Sequence, residues 1–207
     1  MTDFKVDYIG IGAPRSGTGW IHLCLSEHPQ ICGSKYAETN FLNDPINYNK
    51  GLNAYASFFP HCQKGQIKGE YTPGYISFDD MAHHLIKKWF PEVKFIACLR
   101  NPIERAYSNY IRHKTSEKTR AKTFEEAIKD EYLKPYYIDM GFYYPQLKKY
   151  FELYSRERFL ILIYEDIAKN PLKFIQGIYK FLGVDANFVP PSINKQINWS
   201  AQNSLKI

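Results

Sequence analysis

The stretch from Tyr8 to Trp20, Tyr-Ile-Gly-Ile-Gly-Ala-Pro-Arg-Ser-Gly-Thr-Gly-Trp, constrains the fold more than any other part of the chain. The apolar run over residues 6–11 reads as a buried strand. Residues 12–17 follow as a tight Gly-rich loop, and a helix starts at Trp20 with apolar residues three and four apart. Strand, glycine loop and helix in this order form an anion cradle. Loop amides and the helix N-terminus point at one spot, where a phosphate or sulfate oxygen can sit. A Gly-Thr turn before an ordinary helix is the plain alternative.

The loop nearly matches the nucleoside-triphosphate pattern G-x-x-x-x-G-K-[ST]. Gly12, Gly17 and Thr18 fit, but the Lys is missing and the only cation in the loop is Arg15. A guanidinium there can grip an oxyanion through two parallel hydrogen bonds. The cradle is therefore kept, without the Lys that reaches β- and γ-phosphates.

The rest of the chain repeats the alternation of strand and helix. The first helix is expected to end near His28-Pro29, and residues 30–49 to be irregular. A short helix is expected over 51–59, a strand over 66–70, and a helix from Asp79 or Asp80 through Trp89. Residues 93–99 and 159–164 read as the second and third buried strands. Helices are predicted over 103–113, 124–132, 143–154 and 171–182, the last between Pro171 and Gly183, with a charged link at 115–122. This order implies an α/β fold with a mainly parallel sheet, whose ligands bind at the C-terminal ends of the strands.

Composition bounds the function. At 207 residues the chain suits one domain with a real core. Its net charge of +6 suits an anionic ligand or polymer. The tyrosines are scattered rather than clustered with Lys and Arg, which disfavours a nucleic-acid module. Cys24, Cys32, Cys62 and Cys98 form no C-x-x-C pair and read as reduced, mostly buried thiols. No metal-ligand spacing appears: His83 and His84 are adjacent, with no His partner at i+4. With no signal segment and no bilayer-length apolar run, a cytoplasmic protein without stable membrane insertion is expected.

The second strand separates the readings. A P-loop NTPase ends a later strand in an Asp that helps hold Mg²⁺. Here the strand ends in Arg100, and Ser108 lies eight residues on, in the next helix. Two anion sites without an evident metal acid imply a ligand with two separated anionic groups, used without Mg²⁺. An ATP-dependent phosphotransferase of the kinase type is the alternative, and Mg²⁺-dependent ATP binding would support it.

These residues resemble a known family. Ala13-Pro-Arg-Ser-Gly-Thr18, with Leu25-x-x-His28-Pro29 downstream, is similar to the 5′-phosphosulfate loop of PAPS-dependent sulfotransferases. Leu99-Arg100-Asn-Pro-x-x-Arg105-Ala-Tyr-Ser108 is similar to their 3′-phosphate motif. Gly51-Leu-x-x-Tyr-x-x-Phe58-Phe59-Pro60 and Gly69-Glu70-x-Thr-Pro-x-Tyr75 resemble the carbohydrate branch, which includes the heparan sulfate enzymes. Tyr164-Glu-Asp166 and Phe181-Leu-Gly183 fit the C-terminal part.

The resemblance implies one sulfotransferase domain over residues 1–207, with a P-loop NTPase-like three-layer fold: a central, mainly parallel sheet flanked by helices. It implies PAPS as donor, 3′,5′-ADP as product, no metal, and a small-molecule, saccharide or glycolipid acceptor. Arg15, Ser16, Gly17, Thr18, Gly19 and Trp20 would hold the sulfate-bearing phosphate, and Arg100 and Ser108 the 3′-phosphate. Arg15 would also stabilise transferred charge, and Glu38 would be the general base. Two positions depart from the family. Tyr71 stands where the carbohydrate enzymes often have Lys, with Lys35 or Lys68 as stand-ins. The C-terminal Lys-Gly-Arg clamp is absent, and Lys195, Asn198 and Trp199 fall where it would lie. His22 reads as a packing or rim residue, and His61 and His113 as surface residues.

Overall fold

A computed structural model describes residues 4–76 and 80–195. Five parallel strands, β1 (Tyr8–Gly12), β2 (Ile31–Gly33), β3 (Ile67–Tyr71), β4 (Lys94–Leu99) and β5 (Phe159–Ile163), form one sheet in the order β2-β3-β1-β4-β5. Between β1 and β2 lies α1 (Thr18–Ser26). The segment from β2 to β3 carries the short α2 (Pro45–Tyr48) and α3 (Leu52–Ala56). α4 (Asp80–Trp89) leads to β4. From β4 to β5 run α5 (Pro102–Thr115), α6 (Phe124–Lys129), α7 (Lys134–Tyr137) and α8 (Tyr143–Leu153). α9 (Glu165–Lys169) and α10 (Pro171–Leu182) follow β5.

The central position of β1 explains its unbroken apolar run. Both edges are paired and both faces are covered, so every residue from Tyr8 to Gly12 is buried. Strand alternation then sorts the side chains. Ile9, Ile11, Phe95 and Ala97 pack with Ile86 of α4, Phe90 just after it, and Leu147 and Tyr150 of α8. Tyr8, Ile96 and Cys98 pack on the other face with Ile21, Cys24 and Leu25 of α1 and Ile175, Ile178 and Tyr179 of α10. These are three layers. Gly10 is required by close approach: a Cβ there would lie 2.2 Å from the Tyr71 ring. Asn170 caps α10 through the Lys173 amide, and Gly183 closes it at φ 84°.

Several expectations need correction. β5 is not a buried strand: it is the sheet edge, and Ile161 and Ile163 are 38% and 48% exposed. Residues 30–49 are not wholly irregular, because β2 pairs with β3 in register Ile31 to Ile67. Three residues are too few to show a period. α1 begins at Thr18, two residues before Trp20. α6 ends at Lys129, because Asp130 is already extended. Asp79, Asn198 and Trp199 lie outside the described residues.

The cysteines also depart from the expectation. Cys24 and Cys98 are free and buried, but Cys32 and Cys62 form a disulfide with Cα atoms 5.5 Å apart. They lie 30 residues apart, and the pairing of β2 with β3, with the bond from the Lys35 amide to Phe58 O, brings their segments together. Among the described residues, no helix is long and apolar enough to cross a membrane.

Candidate active site

The loop 13–17 leaves the C-terminal tip of β1, between β3 and β4. Arg15 and Gly17 both adopt positive φ, 69° and 74°. Gly17 also packs close to Tyr164 and Ile167, each 3.1 Å from where a Cβ would stand. The first bond of α1 runs from the Ile21 amide to Gly17 O, 3.0 Å. The amides of Thr18, Gly19 and Trp20 are thus the donors that a helix leaves for something outside itself. Ser16 is fully buried and its Oγ has no hydrogen-bond partner. An unpaired buried hydroxyl costs free energy, so one on the loop of an anion cradle fits a ligand donor. The Trp20 side chain instead packs against Phe174 and donates to Ser192 O at 3.1 Å. Only its backbone faces the cradle.

The second cluster meets the first. Asn101 caps α5 by accepting from the amides of Ile103 and Glu104, and Pro102 occupies the first turn. That start sets Ser108 nearly two turns along α5. Arg15 Nε donates to Ser108 Oγ at 3.1 Å. Arg100 Nη1 donates to Arg15 O at 3.2 Å, and its guanidinium lies 4.7 Å from the Tyr164 ring centre. A loose contact to exposed Glu104, 3.5 Å, is its ion pair. Among the described residues Arg15 makes no ion pair. Burial, then the charges of Arg112 and Arg100, push its pKa down. The site holds more positive charge than the protein itself neutralises.

Glu38 lies on the segment after β2. Its side chain opens to solvent on one side, yet burial against the surrounding protein raises its pKa. Arg112 and Arg15 pull the other way, and Glu70 adds to the rise. Glu38 therefore shares one electrostatic neighbourhood with both arginines. Its chain neighbour Thr39 is fixed by Glu70, which is fully buried. Glu70 accepts from Tyr55, Thr39 and Thr72 hydroxyls at 2.6 Å each and from Tyr75 at 3.0 Å. The Thr39 amide is held by Thr72 Oγ1 at 3.0 Å. Glu70 is thus a structural acceptor. Glu70→Ala strands buried hydroxyls and is expected to cost about 3 kcal/mol or more. The melting temperature should then fall by about 6–12 °C; an unchanged melt in calorimetry would contradict this role.

Comparison with known proteins bears on this geometry. The family model described as "Sulfotransferase domain" matches residues 5–206. The chain belongs to the sulfotransferase domain family. Human bifunctional heparan sulfate N-deacetylase/N-sulfotransferase 2 is 28% identical over 193 residues, 86% of this chain and 22% of that protein. Human heparan sulfate glucosamine 3-O-sulfotransferase 5 is 24% identical, over 89% of this chain and 54% of that one. The chain thus spans about a fifth of the length of the bifunctional relatives. Among solved structures, a sulfotransferase from Alicyclobacillus acidocaldarius superposes with a TM-score of 0.81 at 24% identity, covering 96% of this chain and 89% of that one. A mouse sulfotransferase complexed with PAP gives 0.57 at 20% identity, over 88% and 60%. The fold is the P-loop NTPase-like fold of these enzymes.

Within this sulfotransferase domain, the residues expected at the site fall into groups. Arg15, Ser16, Arg100 and Ser108 come together, and Glu38 stands near Arg15. Arg105, in the same sequence motif, is fully buried and donates to Tyr136 O and Tyr137 O, so it anchors α5 to α7. Tyr71 is buried and donates to Gly12 O at 3.0 Å, so position 71 faces the core. Arg112 was not singled out from sequence. Its signal is its spacing, one turn beyond Ser108 on the same face of α5. His22 is buried and its pKa is pushed down to about 4 by that burial. His61 is exposed, as expected. His113 is not a free surface residue: its Nδ1 lies 2.9 Å from the Tyr137 hydroxyl.

Proposed function

We propose that residues 1–207 act as one domain that moves a sulfuryl group from PAPS to a hydroxyl or amine of a saccharide. The observation that carries this reading is the convergence of Arg15, Arg100, Ser108 and the unpaired Ser16 hydroxyl at neighbouring strand tips. Such a surface suits a ligand with two anionic ends. The heparan sulfate relatives support a saccharide acceptor.

In this reading Arg15, the Ser16 hydroxyl and the amides of Gly17, Thr18, Gly19 and Trp20 bind the 5′-phosphosulfate end. Arg100 and Ser108 bind the 3′-phosphate. Glu38 takes the proton as the acceptor oxygen or nitrogen bonds to sulfur. The bond from sulfur to the bridging phosphate oxygen breaks, and 3′,5′-ADP leaves. Arg15 and the N-terminus of α1 stabilise the negative charge that grows on the bridging oxygen. Arg112 joins Lys35 and Lys68 as a candidate cation for the sulfuryl group or acceptor, because its charge acts on both Glu38 and Arg15. An ATP-using phosphotransferase is disfavoured by Arg100, which stands at the β4 tip in place of an acid. The bonded Cys32–Cys62 pair removes the cysteine argument for a cytoplasmic location.

Calorimetric titration with 3′,5′-ADP tests the assignment. Arg100→Ala removes a charged hydrogen-bond donor and is expected to weaken binding by about 10- to 150-fold. Equal affinity in the variant and the parent would overturn the 3′-phosphate role.

A further inference from the structure

A second constellation lies away from this site. β2 ends beside the turn after α3, where a His61 ring nitrogen lies within 4.8 Å of both sulfurs of the Cys32–Cys62 disulfide. Cys32 is buried, Cys62 half-buried and His61 exposed, so the cluster has both an inner wall and an entry. Cys32 and His61 line a cavity of about 430 Å³ together with His22, Ser26, Ser34 and Gln66. None of its lining residues belongs to the Arg15, Arg100 and Glu38 group.

His22 supplies a second, independent sign. It is only 8% exposed, and its Nδ1 has no hydrogen-bond partner. Its Nε2 lies 3.4 Å from Ser26 Oγ. The ring stands against Gly33, next to Cys32: a Cβ on Gly33 would lie 3.2 Å from His22 Cε1. A buried ring nitrogen without a protein partner, on a residue that lines a cavity, is a group that a water or an ion can satisfy. Two thiolates and an imidazole are a donor set that zinc takes in tetrahedral sites.

We propose that, after reduction of the Cys32–Cys62 bond, Cys32, Cys62 and His61 form a zinc site whose fourth position opens into the cavity beside His22. A dithiol reductant supplies two electrons and two protons. The S–S bond becomes two thiols, and the reductant closes its own disulfide. Zn²⁺ then displaces one proton from each thiol to solvent, and neutral His61 donates a nitrogen lone pair. Disulfide and metal are alternatives, because the same two sulfurs serve both. Either cross-link ties β2 to the turn at 61–62 and so closes the segment that carries Glu38 and Thr39.

The test uses the full chain, reduced with a phosphine and titrated anaerobically with Co²⁺, then Zn²⁺. One equivalent of Co²⁺ is expected to give thiolate-to-cobalt charge-transfer absorption that Zn²⁺ abolishes. Disulfide-oxidised protein should show none, and Cys32→Ser should lose the band. His61→Ala alters an exposed side chain and so keeps the fold. It should weaken Zn²⁺ binding by more than the roughly 10- to 100-fold that losing an outer-shell partner costs. Zn²⁺ should also raise the melting temperature of the reduced chain and leave the oxidised chain unmoved. No cobalt absorption in the reduced parent, or unchanged metal affinity in His61→Ala, would overturn the site.

Discussion

Arg15→Ala is expected to cut sulfuryl transfer by about 10²–10³-fold without weakening the fold. The guanidinium is held at positive φ, donates to Ser108, and has burial and two neighbouring guanidiniums working against its charge. A charge kept in such a place is set there for a negative partner, and its value appears when charge grows on the bridging oxygen. Removing it relieves the repulsion from Arg112 and Arg100, so the melting temperature should hold or rise. Arg15→Lys keeps the charge but loses the fork and the Nε donor to Ser108, and should fall between the two. Turnover of radiolabelled PAPS with a saccharide acceptor, read beside calorimetric melts, separates these outcomes. Near-normal turnover in the alanine variant would remove Arg15 from the chemistry.

What the sequence disclosed follows from range. β1, β4 and α10 were legible because their signals are local: a continuous apolar run, or Pro171 and Gly183 bracketing a 3.6-residue period. The two arginine motifs were legible as motifs, and the strand order places their tips side by side. Three things were not legible. The Cys32–Cys62 bond depends on a three-residue strand whose partner lies more than 30 residues away. The exposure of β5 depends on which strand ends the sheet, and the apolar run 159–164 looks the same at an edge or a centre. The buried Glu70 cluster joins Thr72 and Tyr75, from Glu70's own motif, to Thr39 and Tyr55 on other segments, so the shared acceptor emerges only when those segments pack together.

The Glu38→Gln variant should lose about 10²–10⁴-fold in turnover and keep its affinity for 3′,5′-ADP. The amide preserves shape and cannot take a proton. Burial holds the carboxyl above its ordinary value, with Arg112 and Arg15 only partly offsetting it. A general base works deprotonated, so activity falls as pH drops through that raised pKa. The acid limb of the pH–rate profile should therefore lie above the usual carboxylate range, and the Gln variant should lack it. Arg112→Ala removes the largest charge that lowers the Glu38 pKa, so it should move the limb to higher pH. Stability carries the opposite sign. A carboxyl with a raised folded pKa favours folding while protonated, and that contribution is lost as pH rises through the folded value. At neutral pH Glu38→Gln should then be at least as stable as the parent, so its lost turnover cannot be laid to unfolding. A Gln variant that keeps both its rate and its acid limb would place the base on another residue.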